Sequence, residues 1–469
     1  MTPPYDIAVI GSGPGGYVAA LQAAQMGAKV ALIEKDLVGG TCLNRGCIPA
    51  KSFLAAAELM HGIRHRSRAI GVSAGEPSVD WPAALAHKNG VLEEQRKGLR
   101  FLFDKRGIDL ISGEASFEAP GRLVVRDARG GPNAVHAERI IIASGSRPSR
   151  MPGWPENERV VTSDEALDWT ALPASLLIVG GGVIGCEFAC MMAEFGVRVT
   201  VVEMLPRLLP LMDEDLGQEL LRVFKKRGID CHPATEVEDL VTGGDEARAT
   251  LSGGRTVEAE KVLVATGRRP NTERLALDKV GVRVAKGWIE VNDRMETNVP
   301  NHYAIGDVNG RMQLAHSASA MGRVAAENAL GRDRAFVAPS PACVYTFPEI
   351  GAVGLSEEEA RTRDLPIAVG VFPFAASGKA RAYGDASGFV KIVRRRGTDE
   401  ILGVHAIGHS ATEFIAAAGV LVHTRATARD VAEMVFAHPT MSEAVRDAAE
   451  ASLFECLHLP PPRKVRVRV

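Results

Sequence analysis

Nowhere in this sequence does an apolar run approach the roughly 18 residues that a membrane-spanning helix needs. An excess of one charge is equally absent: the formal net charge is −2, which leaves no footprint for a polyanion and argues against nucleic acid as a partner. Cysteine is scarce, with seven in 469 residues, so a secreted scaffold stapled by disulfides is excluded. The opening "MTPPYDIAVIGSG" enters an apolar strand almost at once and leaves no room for a signal or transit peptide. Cytoplasm is therefore the expected compartment. A cysteine pair there serves catalysis or metal binding more often than structure.

What is present describes a globular enzyme. The length exceeds what one core supports, and about three domains is the expectation. One internal echo organises the chain. "YDIAVIGSGPGGYVAALQAAQMGAKVALIEK" (5–35) reads as an apolar strand, a glycine turn, an Ala-rich helix and a second strand ending at Glu34. "SLLIVGGGVIGCEFACMMAEFGVRVTVVEM" (175–204) repeats that order, with Gly180, Gly182 and Gly185 standing where Gly11, Gly13 and Gly16 stood. Glu203 answers to Glu34. A lone GxGxxG is weak, but here each copy has its strand before, its helix after and an acid about 20 residues on.

The physics of the two copies is shared. The first glycine makes the tight turn, the second lets the backbone approach a pyrophosphate, and the third allows close helix–strand contact. The helix N-terminus offers free N–H groups and a partial positive charge to the anion. Glu34 and Glu203 can accept hydrogen bonds from a ribose diol, and Glu203 would repel a 2′-phosphate, which favours NAD over NADP. Two dinucleotide sites on one chain imply a flavin and a nicotinamide.

A second echo marks the joints. "RIIIASGSRPSRMPGWP" (139–155) and "KVLVATGRRPNTE" (261–273) each run from an apolar strand through a small-residue turn to basic residues and proline. The 175–265 unit reads as inserted into a larger first domain. We expect dinucleotide-binding segments over 1–148 and 272–340, a second dinucleotide-binding unit over 149–271, and an α+β domain over 341–469. The tail "PPPRKVRVRV" reads as an exposed end.

"LVGGTCLNRGCIPAKSFL" (37–54) sets Cys42 and Cys47 five positions apart. In a regular helix such residues have Cα atoms roughly 8.6 Å apart, beyond the limit of about 7 Å for a disulfide. A bond needs irregular backbone, which Gly46 and Pro49 can provide, with the helix running through "AKSFLAAAELM". Metal binding is disfavoured, because no second CxxC or His pair is nearby. A redox dithiol is the reading. The other five cysteines read as ordinary buried thiols.

"GGTCLNRGCIPAK" resembles the redox-active motif of the flavoprotein disulfide reductases. "YAIGDV", "MQLAHSASAMG", "YTFPEIGAVGLSEEEA" and "FAHPTMSE" follow in that family's order. The resemblance is nearest to the branch that oxidises lipoyl dithiols. It implies two Rossmann-like domains plus a dimerisation domain, a homodimer with its site across the interface, and lipoyl domains of another protein as partners. It implies FAD at the first fingerprint, with contacts at Thr41, Lys51, Ala115, Ser144, Gly145, Ser146, Asp307 and Ala315. It implies NAD at the second, with Glu187, Val237 and Gly267 beside it.

By the same resemblance Cys47 faces the flavin and Cys42 exchanges with substrate. His438 acts as acid and base from the partner subunit, oriented by Glu443, and Lys51 pairs with Glu187 near both rings. Glu443 also closes "TMSE" (440–443), a capping box for the helix that follows; each role can take one carboxylate oxygen. His316 reads as structural. Ala50 and Phe436 depart from the family's usual Ser and polar residue. A single Cys456 near the C-terminus counts against a mercuric reductase, and Glu203 against a glutathione reductase. An NADH oxidase, a diaphorase or a non-catalytic FAD scaffold are the alternatives from other classes.

Overall fold

A computed structural model describes residues 5–127, 131–337 and 339–461, so most of the basic tail lies outside the described residues. The first unit is built on a sheet whose centre is β1 (Tyr5–Ile10), flanked by β2 (Val30–Glu34) and then β3 (Asp109–Ser112). All three are parallel. Ile7 to Ile10 are buried without alternation, as expected of a strand covered on both faces. On its other side β1 pairs in parallel with the strand Pro132–Ile142 (β6 once β4, Glu114–Ala119, and β5, Arg122–Arg126, are counted), and beyond β6 the sheet turns antiparallel through β5 and β4. The late strand His302–Ala304 lies parallel beside β6, so a segment 160 residues downstream completes the same sheet.

The chain leaves β1 through helix α1 (Pro14–Gln25), and after β2 it enters the short α2 (Gly40–Arg45) and then α3 (Cys47–His61). The second unit repeats the plan. Asp230–His232, Arg198–Val202, Ser175–Val179, Lys261–Val264 and Val160–Val161 form a parallel five-stranded sheet in that spatial order. Its fingerprint helix is Val183–Glu194. An antiparallel pair, Ser146–Pro148 with Arg268–Pro270, joins the two units at the two points where the basic-proline echo falls.

The last unit is a five-stranded antiparallel sheet, carrying helices Ala411–His423 and Glu443–Ser452 on its face. It is not a separate body. Val344 and Ile350 share one core with Phe53 and Ala57 of α3 and with Cys186 and Cys190 of the second fingerprint helix. The buried Lys391 ammonium of its sheet meets Asp213, Asp215 and Glu357 at 2.7–2.9 Å, tying that sheet to the second unit. The α/β architecture is the one the sequence implies. Among the described residues no helix is long and apolar enough to cross a membrane.

Candidate functional site

Both fingerprint turns have the same steric design. A Cβ on Gly16 would collide with the Gly11 carbonyl, and one on Gly185 with the Gly180 carbonyl, so helix and strand meet there at a distance only glycine allows. A Cβ on Gly13 would meet only the Gly40 Cα, at 4.0 Å, and one on Gly182 nothing at all. The tight glycines close the turn; the middle one faces open space. Neither following helix has a side-chain N-cap, so its first N–H groups are left for an anion. These two cradles fit two pyrophosphates.

The strand-end acids already serve the backbone. Glu34 Oε2 accepts the Ser12 N–H at 2.8 Å and the Ser12 hydroxyl at 2.7 Å, while Oε1 accepts the Asp36 N–H at 2.9 Å. Glu203 likewise accepts the Gly181 N–H at 2.5 Å and the Leu205 N–H at 2.7 Å. Each carboxylate therefore shapes its glycine loop, with lone pairs to spare for a ribose. Ser12 extends the first of these links, because its hydroxyl also accepts the Gly39 N–H at 3.2 Å just ahead of the redox loop.

Cys42 and Cys47 form a disulfide with Cα atoms 4.7 Å apart. Irregular backbone makes this possible: α2 ends at Arg45, Gly46 breaks it at φ −148°, ψ −109°, and α3 begins at Cys47 itself. The helix thus starts three residues earlier than the sequence suggests, with Pro49 inside its first turn, where a missing N–H is harmless. Cys47 gains from this as a leaving group, since a thiolate at a helix N-terminus is stabilised. Asn44, unremarked in the sequence, holds the loop from within. Its amide donates to the Val38 and Gly40 carbonyls at 3.0 and 2.9 Å, and its oxygen accepts from Arg96 at 3.0 Å.

One turn into α3, the Lys51 ammonium meets both Glu187 oxygens at 2.9 and 2.8 Å. The Tyr345 N–H donates to Glu187 Oε1 at 3.1 Å, and its ring lies 4.5 Å from the Lys51 nitrogen. Tyr345 escaped notice because nothing in its local pattern distinguishes it from a core aromatic. Burial pushes its phenol up to about 12 and the nearby Cys343 thiol up to about 11, so both stay protonated at neutral pH.

The His438 side chain is 79% exposed. Glu443 divides its oxygens as anticipated: Oε1 takes His438 Nδ1 at 3.0 Å and Oε2 accepts the Thr440 N–H at 2.8 Å. The capping box is only half formed. The Thr440 hydroxyl donates to the Ala437 carbonyl instead of capping, and the helix begins at Glu443 itself. Partial burial works to raise the Glu443 pKa, but the Thr440 and His438 bonds prevail and hold it below the usual value.

The remaining candidates divide by neighbourhood. Ser146 donates to Asp307 at 2.5 Å and accepts from Arg268 at 2.7 Å, while Ser144 donates to the Asn271 carbonyl at 2.8 Å and the Asn271 N–H reaches the Gly145 carbonyl at 3.0 Å. These bonds gather 144–146, Asp307 and the joint strand at one sheet end. Thr41 precedes Cys42 in α2, Ala115 is buried in β4 and Ala315 opens helix Ala315–Ala329. Val237 opens a strand, and Gly267, at φ +112°, links the second sheet to the joint. His316 bonds the Pro341 carbonyl at 2.7 Å, a structural link.

Residues 5–322 match the pyridine nucleotide-disulphide oxidoreductase family, and residues 340–449 match its dimerisation domain. The chain belongs to that family: it is a flavoprotein oxidoreductase that uses FAD and NAD, and its dimerisation domain supports a homodimer. It is 39% identical over 469 residues to a dihydrolipoyl dehydrogenase of Chlamydia muridarum, covering 99% of this chain and 100% of that protein. It is 40% identical over 474 residues to a dihydrolipoyl dehydrogenase of Bacillus subtilis, covering 98% and 100%. The crystal structure of LpdA from Mycobacterium tuberculosis superposes with a TM-score of 0.88 at 30% identity, covering 95% of this chain and 98% of that one. The HOCl-induced flavoprotein disulfide reductase RclA from Escherichia coli gives 0.85 at 29%, covering 95% and 99%.

Proposed function

We propose that this protein is a dihydrolipoyl dehydrogenase, oxidising protein-borne dihydrolipoyl groups in the cytoplasm and delivering the electrons to NAD⁺. The observation that carries the reading is the Cys42–Cys47 disulfide at the start of α3, in a chain 39–40% identical over nearly its whole length to relatives of that name. The segments 1–148 and 272–340 would hold FAD, 149–271 NAD, and 341–469 the interface of a homodimer. Lipoyl domains of a 2-oxoacid dehydrogenase or glycine-cleavage assembly would be the partners.

In this reading a lipoyl thiol gives its proton to His438 of the facing subunit and attacks Cys42 Sγ. The Cys42–Cys47 bond breaks, a mixed disulfide forms, and Cys47 leaves as a thiolate favoured by the helix terminus. The second lipoyl thiol displaces Cys42, closing the lipoyl disulfide and leaving its proton on Cys42. Two electrons and two protons have then moved from substrate to protein. FAD, when bound, supplies the two-electron chemistry that links this dithiol to the nicotinamide. Glu443 holds the imidazole in line; Lys51, neutralised by Glu187, presents a cation where negative charge gathers.

Anaerobic titration of the FAD-loaded enzyme with dihydrolipoamide and, in parallel, glutathione tests the reading. A long-wavelength thiolate–flavin band raised by dihydrolipoamide and not by glutathione is expected. A band from glutathione alone, or from neither thiol, contradicts it.

A further inference from the structure

At their far ends, the two helices that carry Lys51 and Glu187 meet a second time. His61, the last residue of α3, places Nδ1 2.7 Å from Oε1 of Glu194, the last residue of the second fingerprint helix. His65 Nε2 lies 3.5 Å from the same oxygen. Three donor atoms so close resemble a cation site, and all lie within 4.8 Å of one another. Two guanidinium groups decide against it. Arg64 donates to the Glu194 main-chain carbonyl and stands 3.5 Å from its Oε2, and Arg227 donates to His61 Nε2 at 3.1 Å. With Nε2 accepting from Arg227, the proton of the neutral ring sits on Nδ1 and is given to Glu194, so no lone pair is left for a metal.

The same cluster grips a third element. Arg227 also donates to the Phe347 carbonyl, and the His61 ring stacks on the Phe347 ring at 5.1 Å and 14°. The Phe347 N–H donates to Cys190 Sγ at 3.2 Å. Two residues earlier, the Tyr345 N–H donates to Glu187. The strap Tyr345–Phe347 therefore lies along one face of the fingerprint helix, bonded at Glu187 and Cys190 and clamped at its end by His61 and Arg227. Tyr345 is the residue whose N–H and ring fix the Lys51–Glu187 pair.

We propose that His61 is a positioning residue for the Lys51–Glu187 pair, acting with Arg227 through the strap Tyr345–Phe347. The inference rests on the reading that Lys51 and Glu187 face the flavin and the nicotinamide. Releasing the clamp frees Phe347, and the displacement reaches Glu187 within one residue of chain. The two side chains that meet at the far end are well enclosed, with 13% of His61 and 6% of Glu194 exposed.

The test is made on the FAD-loaded enzyme, comparing wild type, His61→Ala, Glu187→Gln and the double variant. NADH-driven bleaching is followed by stopped flow, and the long-wavelength band is read after one equivalent of dithionite. His61→Ala should slow bleaching fivefold or more, leave the NADH dissociation constant within twofold, and reduce the band. The double variant should be no slower than Glu187→Gln alone, as expected of residues acting on one pair. Arg227→Gln, at a partly buried position, should reproduce the effect if His61→Ala folds poorly. Bleaching and band unchanged in both variants, with only a lower melting temperature, overturn the proposal; so do effects that multiply. Neither reductant is a thiol substrate. A wild type that shows the band yet ignores dihydrolipoamide would defeat the substrate assignment alone.

Discussion

Lys51 and Glu187 stand 136 residues apart in the chain, yet the ammonium of one meets both carboxylate oxygens of the other, at 2.8 and 2.9 Å. The pair joins the redox helix to the second fingerprint helix, with the Glu187 side chain 6% and the Lys51 side chain 32% exposed. Glu187→Gln should cost about 1–3 kcal/mol in urea unfolding, because a charged hydrogen bond becomes a neutral one and Lys51 loses its counter-charge. A loss under about 0.5 kcal/mol would mean that solvent already screens the pair.

The two glycine classes should separate cleanly. Gly13→Ala adds a methyl group toward open space, so apoprotein stability should stay within about 1 kcal/mol while FAD retention is lost. Gly16→Ala drives a methyl group into the Gly11 carbonyl and should abolish folding. Fluorescence of released flavin against the urea midpoint distinguishes them. Full FAD retention in Gly13→Ala would remove the pyrophosphate from that cradle.

The sequence carried the doubled fingerprint plainly, because glycine spacing and strand-end acids are local patterns, and Glu34 and Glu203 fall where the pattern puts them. The cysteine loop was half legible: the need for broken helix follows from geometry, but the start of α3 at Cys47 does not, since Pro49 fits either side of a helix boundary. Asn44, Tyr345 and the His61–Glu194–Arg227 cluster were invisible for a different reason. Apart from the two loop carbonyls that Asn44 meets, the partners that fix them lie between 52 and 166 residues away, and no periodicity encodes such contacts.

Glu443 has two jobs that one variant can separate. Glu443→Gln keeps an acceptor for the Thr440 N–H but withdraws the charge beside His438. Turnover with dihydrolipoamide should fall roughly tenfold, against 10²–10⁴-fold for His438→Gln, the range for a lost general acid–base. Unchanged turnover with a lower melting temperature would leave Glu443 only its place at the helix start.

Glu194 supplies a pH dependence of definite sign. Burial works to raise its pKa, but the bonds from His61 and His65 lower it from 4.5 to about 2. The folded value is below the unfolded one, so the unfolded chain takes the proton first. The stabilisation is complete above pH 4.5 and is lost as pH falls toward 2, on the order of 3 kcal/mol. His61, held below 6.5 chiefly by burial, adds a loss of the same sign beginning below pH 6.5. Glu194→Gln should flatten urea stability between pH 4.5 and the acid limit; an unchanged slope would show that the bonds to Glu194 contribute nothing.

The exchange of the Cys42–Cys47 bond is tested most directly by FAD content and NAD⁺-linked dihydrolipoamide oxidation in Cys47→Ser. The substitution lies outside both glycine cradles and removes the sulfur proposed to leave from the start of α3. Full FAD content with turnover lost is the predicted result. Oxidation at the wild-type rate would contradict it.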